Sequence, residues 1–202
     1  MAKRIGIISD THNLLRPEVL EILKGCDCIL HAGDVTKESL LDQIRFLGNL
    51  YVVRGNNDGD WARGIAKVLT FQIEGVSFVM AHEWRHLIGQ TEGTNVAVFG
   101  HTHKYFAEQA GHLLWLNPGS CGYPRFGGAV TMVVMEVDGA EYYVEKIDFS
   151  SGITYAGLLN ECEEAFYMLC EGVRQSLAEV SECIWPLAVS HAAAECGVLL
   201  PH

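Results

Sequence analysis

The first third of the chain alternates between short apolar runs and helical patterns. The apolar runs contain mainly Ile, Leu and Val and are bounded by turn residues, which is typical of buried strands. These predicted strands lie near residues 4–9, 28–31 and 50–54. Helical patterns occupy the intervals near 16–24 and 37–47. This βαβαβ order predicts a parallel sheet with crossover helices.

From about residue 67 the pattern changes to strands in quick succession. The predicted strands are Val68–Ile73, Val76–Ala81, Val96–Phe99, Tyr105–Gln109, Leu113–Leu116, Val130–Val137 and Tyr142–Ile147. Asp138-Gly139 between the last two is a strong hairpin signal. Many strands with few helices between them predict a second layer of sheet, with helices outside both sheets.

Five of the predicted strands are followed directly by side chains that can bind metals. These side chains are Asp10 and His12, Asp34, Asn56, His82, and finally His101 and His103. Ligand sites in sheets of this kind gather in the crevice beyond the carboxyl ends of the strands. A single Asp or His at a strand end is more often a turn former or a helix cap than a ligand. Five such ends in one chain argue for a shared site.

The ligand types favour a pair of metal ions. Oxygen and imidazole ligands without thiolate suit Mn²⁺, Fe or Zn²⁺, and they suit Ca²⁺ or Cu(I) less well. Asp34 ends the second strand, where one carboxylate could bridge two cations. Seven ligands around such a bridge leave positions open for water and substrate. A metal pair about 3.5–4 Å apart lowers the pKa of a bound water and stabilises an in-line displacement.

Composition and charge narrow the range of functions. A chain of 202 residues suits one domain with a sizeable core and a small appendage. The formal net charge of −11 argues against nonspecific binding of nucleic acid, which needs basic surface. Two divalent ions would still make the local field of the site positive, so an anionic substrate is compatible with this charge.

Three absences in the sequence favour a cytoplasmic location. No apolar stretch reaches the roughly 18 residues of a membrane span. The residues before the first strand carry no secretory signal. The seven cysteines show no metal-binding spacing, so we expect free thiols in a reducing compartment.

Residues 151–202 differ in character from the rest of the chain. Apolar residues recur there at helical spacing with glutamates mainly between them, which predicts one amphipathic helix over 155–184. The apolar face should bury Phe166, Leu169, Val173 and Leu177. We therefore expect a main domain over 1–150 and a C-terminal helical extension over 151–202 that supplies no site residue. A homo-oligomeric contact through this helix is slightly favoured over packing on its own domain.

The ordered ligand motifs resemble the signature of the calcineurin-like metallophosphoesterases. The signature residues are Asp10-x-His12, Gly33-Asp34, Gly55-Asn56-x-Asp58, His82 and Gly100-His101-x-His103. Three longer segments narrow the resemblance to the small bacterial and archaeal phosphodiesterase branch. They are Ser9-Asp10-Thr11-His12, His31-Ala32-Gly33-Asp34 and Asn117-Pro118-Gly119-Ser120. The resemblance covers roughly residues 3–149.

The resemblance implies a four-layer α/β/β/α sandwich of two mixed β-sheets, in agreement with the strand pattern. It also implies which side chains share an ion. One ion would take Asp10, His12, Asp34 and His103, and the other would take Asp34, Asn56, His82 and His101. The implied activity is hydrolysis of a small phosphodiester by in-line attack of a metal-bound hydroxide. Among the ions, Mn²⁺ is favoured over Fe, Zn²⁺, Ni²⁺ and Mg²⁺.

One position departs from the family pattern. Many family members carry a histidine where this chain has Asn57, and that histidine contacts the phosphate and helps to protonate the leaving group. An amide can hydrogen-bond a phosphate oxygen but cannot donate a proton at useful pH. We therefore expect the loss of a general-acid contribution of about 10²–10⁴-fold, and a preference for diesters with good leaving groups. His86, four residues after His82, is the first candidate to replace this acid.

Three further residues have both a functional and a structural interpretation. Arg54 and Arg125 could bind the substrate phosphate, because a guanidinium matches a phosphate bidentately. A salt bridge or a surface position explains each of these arginines equally well. His31 precedes the Gly-Asp turn, and we predict that it is a buried structural histidine rather than a ligand.

Two other functions are alternatives to the enzyme. A eukaryotic retromer subunit resembles this branch and serves mainly in assembly, so a metallophosphoesterase-fold scaffold for protein assembly is the second hypothesis. A scaffold can lose metal ligands, whereas all seven positions here carry competent side chains, and Asn57 is the point in the scaffold's favour. A nuclease is the third hypothesis, which the acidic composition and the lack of a basic, aromatic-rich tract oppose.

Overall fold

The computed structural model describes residues 2–123, 125 and 128–149. The chain divides into two units, Met1–Gly152 and Ile153–His202, and every described residue belongs to the first. The predicted helix over 155–184 and the predicted extension over 151–202 lie outside the described residues. Within the described part, no helix has the length and apolar character that crossing a bilayer requires.

The described chain contains ten strands, two α-helices and two 3₁₀ helices. In chain order, the regular elements are β1 (Lys3–Ile8), α1 (Pro17–Lys24), β2 (Cys28–His31), α2 (Glu38–Arg45), β3 (Asn49–Val52), β4 (Val68–Ile73), β5 (Val76–Ala81), β6 (Val96–Val98), β7 (Tyr105–Ala110), β8 (Leu113–Pro118), β9 (Thr131–Asp138) and β10 (Glu141–Asp148). The 3₁₀ helices are Asp60–Gly64 and Trp84–Leu87. Each predicted strand and helix within these residues is therefore present, with ends that differ by one or two residues.

The first sheet has the strand order β10-β9-β1-β2-β3. Strands β1, β2 and β3 are parallel, so that Ile7 pairs with Leu30 and Leu30 pairs with Tyr51. Strands β9 and β10 complete the sheet in antiparallel pairs. The parallel part is the predicted βαβαβ unit, and its crossover helices bring the carboxyl ends of three strands to one edge of the sheet.

The second sheet has the strand order β4-β5-β6-β8-β7. Strands β5, β6 and β8 are parallel, and β4 and β7 pair antiparallel at the two edges. Both sheets are therefore mixed, as predicted. His82 follows β5 directly, and His101 lies three residues after the end of β6. The second sheet therefore also has predicted ligands at the carboxyl ends of its strands.

The main core lies between the two sheets. Side chains alternate between the faces of a strand, so Ile5 and Ile7 of β1 point inward and pack in one cluster with Phe78 of β5. All three side chains are fully buried. On the opposite face of β1, a Cβ at Gly6 would collide with Leu23 of α1, and glycine there lets the helix approach the sheet closely.

The outer faces of the two sheets are covered differently. Helices α1 and α2 pack on the first sheet as predicted. On the second sheet, Val79 and Phe99 are covered by Leu87 of the 3₁₀ helix and its loop. Gly89 and Gly93, with φ of 78° and 68°, end any helical continuation in this loop. The predicted fold class is confirmed, but the described layer outside the second sheet is a 3₁₀ helix and a loop.

Candidate metal centre

The predicted ligands lie in tight turns at the carboxyl ends of the strands. Five of them have a left-handed backbone, with φ of 53° at Asp10, 45° at His12, 59° at Asp34, 69° at His101 and 58° at His103. For a residue other than glycine this conformation costs about 1–3 kcal/mol and persists only where the surroundings enforce it. Such strain concentrates at functional sites, and here it coincides with the predicted ligand set.

The first cluster of donor atoms contains Asp10, His12 and His103. His103 Nε2 lies 3.2 Å from Asp10 Oδ1 and 3.2 Å from His12 Nε2. His12 Nε2 lies 3.8 Å from Asp10 Oδ1 and also 3.8 Å from Asp34 Oδ2. The structure thus brings together the four side chains of the first predicted ligand set.

The second cluster contains Asn56, His82 and His101. Asn56 Oδ1 lies 3.0 Å from His82 Nε2 and 2.9 Å from His101 Nδ1. His82 Nε2 also lies 3.4 Å from Asp34 Oδ2. Asp34 Oδ2 therefore borders both clusters, which is the position that a bridging carboxylate oxygen must take.

The protonation of His82 shows that a cation suits the second cluster. His82 Nδ1 lies 2.8 Å from the carbonyl oxygen of Ala32, which can only accept, so Nδ1 carries the ring proton. In the neutral ring, Nε2 then presents a lone pair to Asn56 Oδ1 and Asp34 Oδ2, which are also acceptors. With the Asn56 amide in this orientation, a second proton on His82 or a metal ion would satisfy these atoms.

The first cluster contains an unsatisfied atom of the kind that a metal binds. Asp10 Oδ1, which faces His103 Nε2, is buried and has no hydrogen-bond partner among the described residues. Asp10 Oδ2, in contrast, accepts from Ser9 Oγ at 2.7 Å and from the His101 backbone N–H at 3.0 Å. Nitrogen and oxygen ligands lie about 2.0–2.2 Å from a transition metal, so donor atoms of one ion lie about 3–4 Å apart. The residues present therefore fit two ions.

Burial and charge act in opposite directions on the carboxylate of Asp34. Burial raises the pKa of Asp34, but the contact with His82 and the two hydrogen bonds from Asn57 outweigh burial and hold the pKa well below its usual range. Burial likewise lowers the pKa of His82, but the hydrogen bond with Asp34 and the charge of Asp10 outweigh it and raise the pKa. Asp34 is therefore ionised, which is the state that a metal ligand requires.

Asp58 supports the centre without reaching the donor atoms. Its buried carboxylate accepts hydrogen bonds from the backbone N–H of Asp34 at 3.1 Å, of Gly55 at 2.7 Å and of Thr36 at 2.7 Å. It thereby ties the turn after β2 to the turn after β3. A Cβ at Gly55 would collide with Asp34, so glycine is required for this close approach. The sequence motif contains Asp58, but its position alone does not reveal this role.

His31 is a buried structural residue, as predicted. Its Nδ1 accepts from the Gly33 backbone N–H at 3.2 Å, so Nε2 carries the proton and donates to Thr11 Oγ1 at 3.0 Å. Burial lowers the pKa of His31 to about 4. The neutral ring therefore holds together the loops after β1 and β2.

The residues predicted to bind substrate lie around the two clusters. Arg54 and His86 line a cleft that also contains Asn56 and His82. Arg125 is exposed and lies close enough to His12 that its charge, in addition to burial, lowers the pKa of His12.

Asn57 has a contact that the sequence did not reveal. Its side-chain N–H donates to Asp34 Oδ2 at 2.5 Å, and its backbone N–H donates to Asp34 Oδ1 at 2.8 Å. The side chain is exposed and adjoins the position where both clusters meet. Asn57 therefore orients the carboxylate of Asp34.

The sequence profile of the calcineurin-like phosphoesterase superfamily domain matches residues 4–140. The chain belongs to this superfamily. This calcineurin-like phosphoesterase is 32% identical over 158 residues to a protein of Methanothermobacter thermautotrophicus named as a probable metallophosphoesterase, and the match covers 71% of this chain and 88% of the relative. A phosphodiesterase of Methanocaldococcus jannaschii is 25% identical over 162 residues, which are 69% of this chain and 96% of that protein.

A solved structure shows the same fold. Vps29 of Chaetomium thermophilum aligns to this chain with a TM-score of 0.61 and 16% sequence identity. The alignment covers 73% of this chain and 98% of Vps29. The family resemblance and the two-sheet architecture predicted from the sequence are both confirmed.

Proposed function

We propose that this calcineurin-like phosphoesterase is a phosphodiesterase that depends on two divalent metal ions. The observation that carries the proposal is the position of Asp34 Oδ2, which lies 3.8 Å from His12 Nε2 and 3.4 Å from His82 Nε2. One ion would be held by Asp10, His12, Asp34 and His103, and the other by Asp34, Asn56, His82 and His101. Bound ions supply a lowered pKa for an attacking water and stabilise charge on the phosphate. Mn²⁺ is our first choice, ahead of Fe, Zn²⁺, Ni²⁺ and Mg²⁺.

The chain's own residues would orient the phosphate. Arg54 lies in the cleft beside Asn56, and Arg125 acts on the side of His12, so guanidinium groups flank the centre on two sides. A guanidinium offers parallel N–H donors that match two phosphate oxygens. We therefore assign Arg54 and Arg125 to substrate binding, in which they would align the diester with the attacking water.

Asn57 and His86 would decide which esters react. Asn57 can donate its amide N–H to a phosphate oxygen but has no proton to transfer to a leaving group. His86 is exposed in the same cleft as Arg54, where an imidazole could supply that proton. A monoester has a more basic, more highly charged ground state and needs more help with protonation, so diesters should be the better substrates.

The similar proteins support this class of reaction. The Methanocaldococcus jannaschii relative is named as a phosphodiesterase, and it aligns over 96% of its length. We therefore propose a small phosphodiester as substrate.

The state of the cysteines bears on location. The described cysteines, Cys26, Cys28 and Cys121, are free thiols. Free thiols are typical of reducing compartments, so we propose a cytoplasmic location.

A panel of phosphoesters, assayed on metal-stripped protein reloaded with Mn²⁺, Zn²⁺ or Mg²⁺, tests the proposal. We expect kcat/KM for bis(para-nitrophenyl) phosphate to exceed that for para-nitrophenyl phosphate by about tenfold or more, and the stripped protein to be inactive. The two compounds share a leaving group, so the comparison isolates the ester class. A higher kcat/KM for the monoester would contradict the proposed preference for diesters.

A scaffold function is the second candidate, and an apolar groove favours it. The groove, on the outer face of the second sheet, has a volume of about 630 Å³. Its walls include Trp84, Ile88 and Phe106, which are 53%, 63% and 41% exposed. Surfaces of this kind mark binding sites for other molecules. The enzyme remains the better proposal, because a scaffold needs neither the complete ligand set nor its strained turns.

A further inference from the structure

A cleft beside the second donor cluster is larger and more basic than metal binding requires. It has a volume of about 280 Å³. Its lining residues are Arg54, Gly55, Asn56, Lys67, His82, Glu83 and His86. Asn56 and His82 belong to the metal centre, whereas Arg54, Lys67 and His86 contribute no ligand. Lys67 in particular has no part in the sequence motifs.

Three separate segments converge to build this wall. The Arg54 backbone N–H donates to the Ala66 carbonyl oxygen at 2.9 Å, which fixes Lys67 beside the turn after β3. The Arg54 guanidinium donates to the Asp58 carbonyl oxygen at 3.3 Å, which holds it on the same turn. His86 comes from the 3₁₀ helix after β5, where its N–H donates to the Glu83 carbonyl oxygen at 3.0 Å. The fold therefore sets the backbone positions of all three basic residues and holds the Arg54 guanidinium on its turn.

The charges of this wall are not neutralised within the described chain. Neither Arg54 nor Lys67 has a carboxylate within ion-pair distance among the described residues, and the Glu83 carboxylate pairs with Arg85. Other described basic side chains either pair with a carboxylate, as Lys24 does with Glu21, or lie outside this cleft, as Lys37 and Lys104 do. Two unneutralised cations in one cleft are notable in a chain with a formal net charge of −11. They suit an anionic ligand.

We infer that this cleft is a subsite for a second anionic group of the substrate, a phosphate or a carboxylate carried on one arm of the phosphodiester. The inference rests on the proposed function. Lys67 would contribute a point charge to that group, and Arg54 is placed to contact both the second anion and the diester. Lys67 is then a specificity-determining residue, and the preferred substrates are diesters with an anionic arm rather than a neutral one.

Three synthetic diesters test the inference by activity. Each has para-nitrophenol as leaving group, and the other arm is an alkyl chain that ends in a methyl, a carboxylate or a phosphate group. We expect wild type to prefer the anionic arms, and Lys67→Met to lower the anionic-to-neutral ratio of kcat/KM by about tenfold. Lys67→Arg should restore most of the ratio because it keeps the charge. Lys24→Met is the matched control, since it removes the same charge from the remote end of α1, and it should keep the wild-type ratio.

Calorimetric titration of inorganic phosphate into the metal-free protein gives a second readout that does not depend on hydrolysis. We expect Lys67→Met to weaken phosphate binding by about tenfold and Lys24→Met to leave it unchanged. If Lys67→Met changes neither the phosphate affinity nor the substrate ratio, the inference is overturned. If Lys67 governs phosphate binding but no diester is hydrolysed with any metal, the subsite stands and the proposed function fails.

Discussion

Replacing Asp34 by asparagine is expected to lower kcat/KM for bis(para-nitrophenyl) phosphate by about 10³-fold or more. The Oδ2 atom of Asp34 borders both donor clusters, at 3.8 Å from His12 Nε2 and 3.4 Å from His82 Nε2. Asparagine removes the negative charge that would lie between two cations, and one of its two terminal atoms is a donor that cannot bind a metal. The measurement is steady-state kinetics at saturating Mn²⁺, together with the metal content of the purified variant.

A surface carboxylate provides the control for this variant. Asp42 lies on α2, where its exposed side chain pairs with Arg45 three residues later. Asp42→Asn makes the same chemical change, and such exposed pairs contribute little to stability. We expect wild-type activity and metal content for Asp42→Asn. An Asp34→Asn protein that retains two ions and most of its activity would contradict the bridging role.

Replacing Asn57 by histidine is expected to raise kcat/KM for a diester with a poor, alkyl leaving group by about 10²-fold. An alkoxide needs a proton as it leaves, and the imidazole can supply the proton that an amide cannot. The gain should be much smaller for a para-nitrophenyl diester, because para-nitrophenolate leaves without protonation. The measurement is the ratio of kcat/KM between these two diesters in the variant and in wild type.

Asn57→Gln separates acid catalysis from the structural contact of this position. Asn57 also donates to Asp34 Oδ2 at 2.5 Å, so a substitution at this position removes or displaces one hydrogen bond to the Asp34 carboxylate. Glutamine keeps the amide and offers no transferable proton, and we expect no gain on the alkyl diester. An equal gain in Asn57→His and Asn57→Gln would show that the position acts through Asp34 rather than through a proton.

Much of the fold and the ligand set was accessible from the sequence because most of the ligands follow buried strands, although Asn56 follows the half-exposed β3. Ile5 to Ile8 precede Asp10, and Phe78 to Ala81 precede His82, so strand periodicity already fixes where those side chains emerge. Within each sheet the carboxyl ends of the parallel strands lie at one edge. The contact of His82 with Asp34 shows that the edges of the two sheets meet. The order of motifs then identified the family, and the structure brings together all seven predicted ligand residues.

What the sequence could not supply depends on contacts between distant segments. The role of Asp58 requires that the turns after β2 and β3 be adjacent, and Lys67 enters the cleft only because Arg54 bonds to the Ala66 carbonyl oxygen. The left-handed backbone of His101 leaves no signal in a pattern of apolar and polar residues. The prediction of helices outside the second sheet was wrong for the segment after β5, where Gly89 and Gly93 with positive φ leave a 3₁₀ helix and a loop.

The central claim is that the protein binds two divalent ions and needs both for activity. Its most direct test is to titrate metal-stripped protein with Mn²⁺ and to measure the number of ions bound per chain. Elemental analysis of the dialysed protein and the electron paramagnetic resonance spectrum should be recorded at each step, alongside diester hydrolysis. We expect saturation at two ions per chain, a spectrum with the magnetic coupling of neighbouring ions, and activity that rises with the second ion. Saturation at one ion, or full activity without metal, would contradict the account.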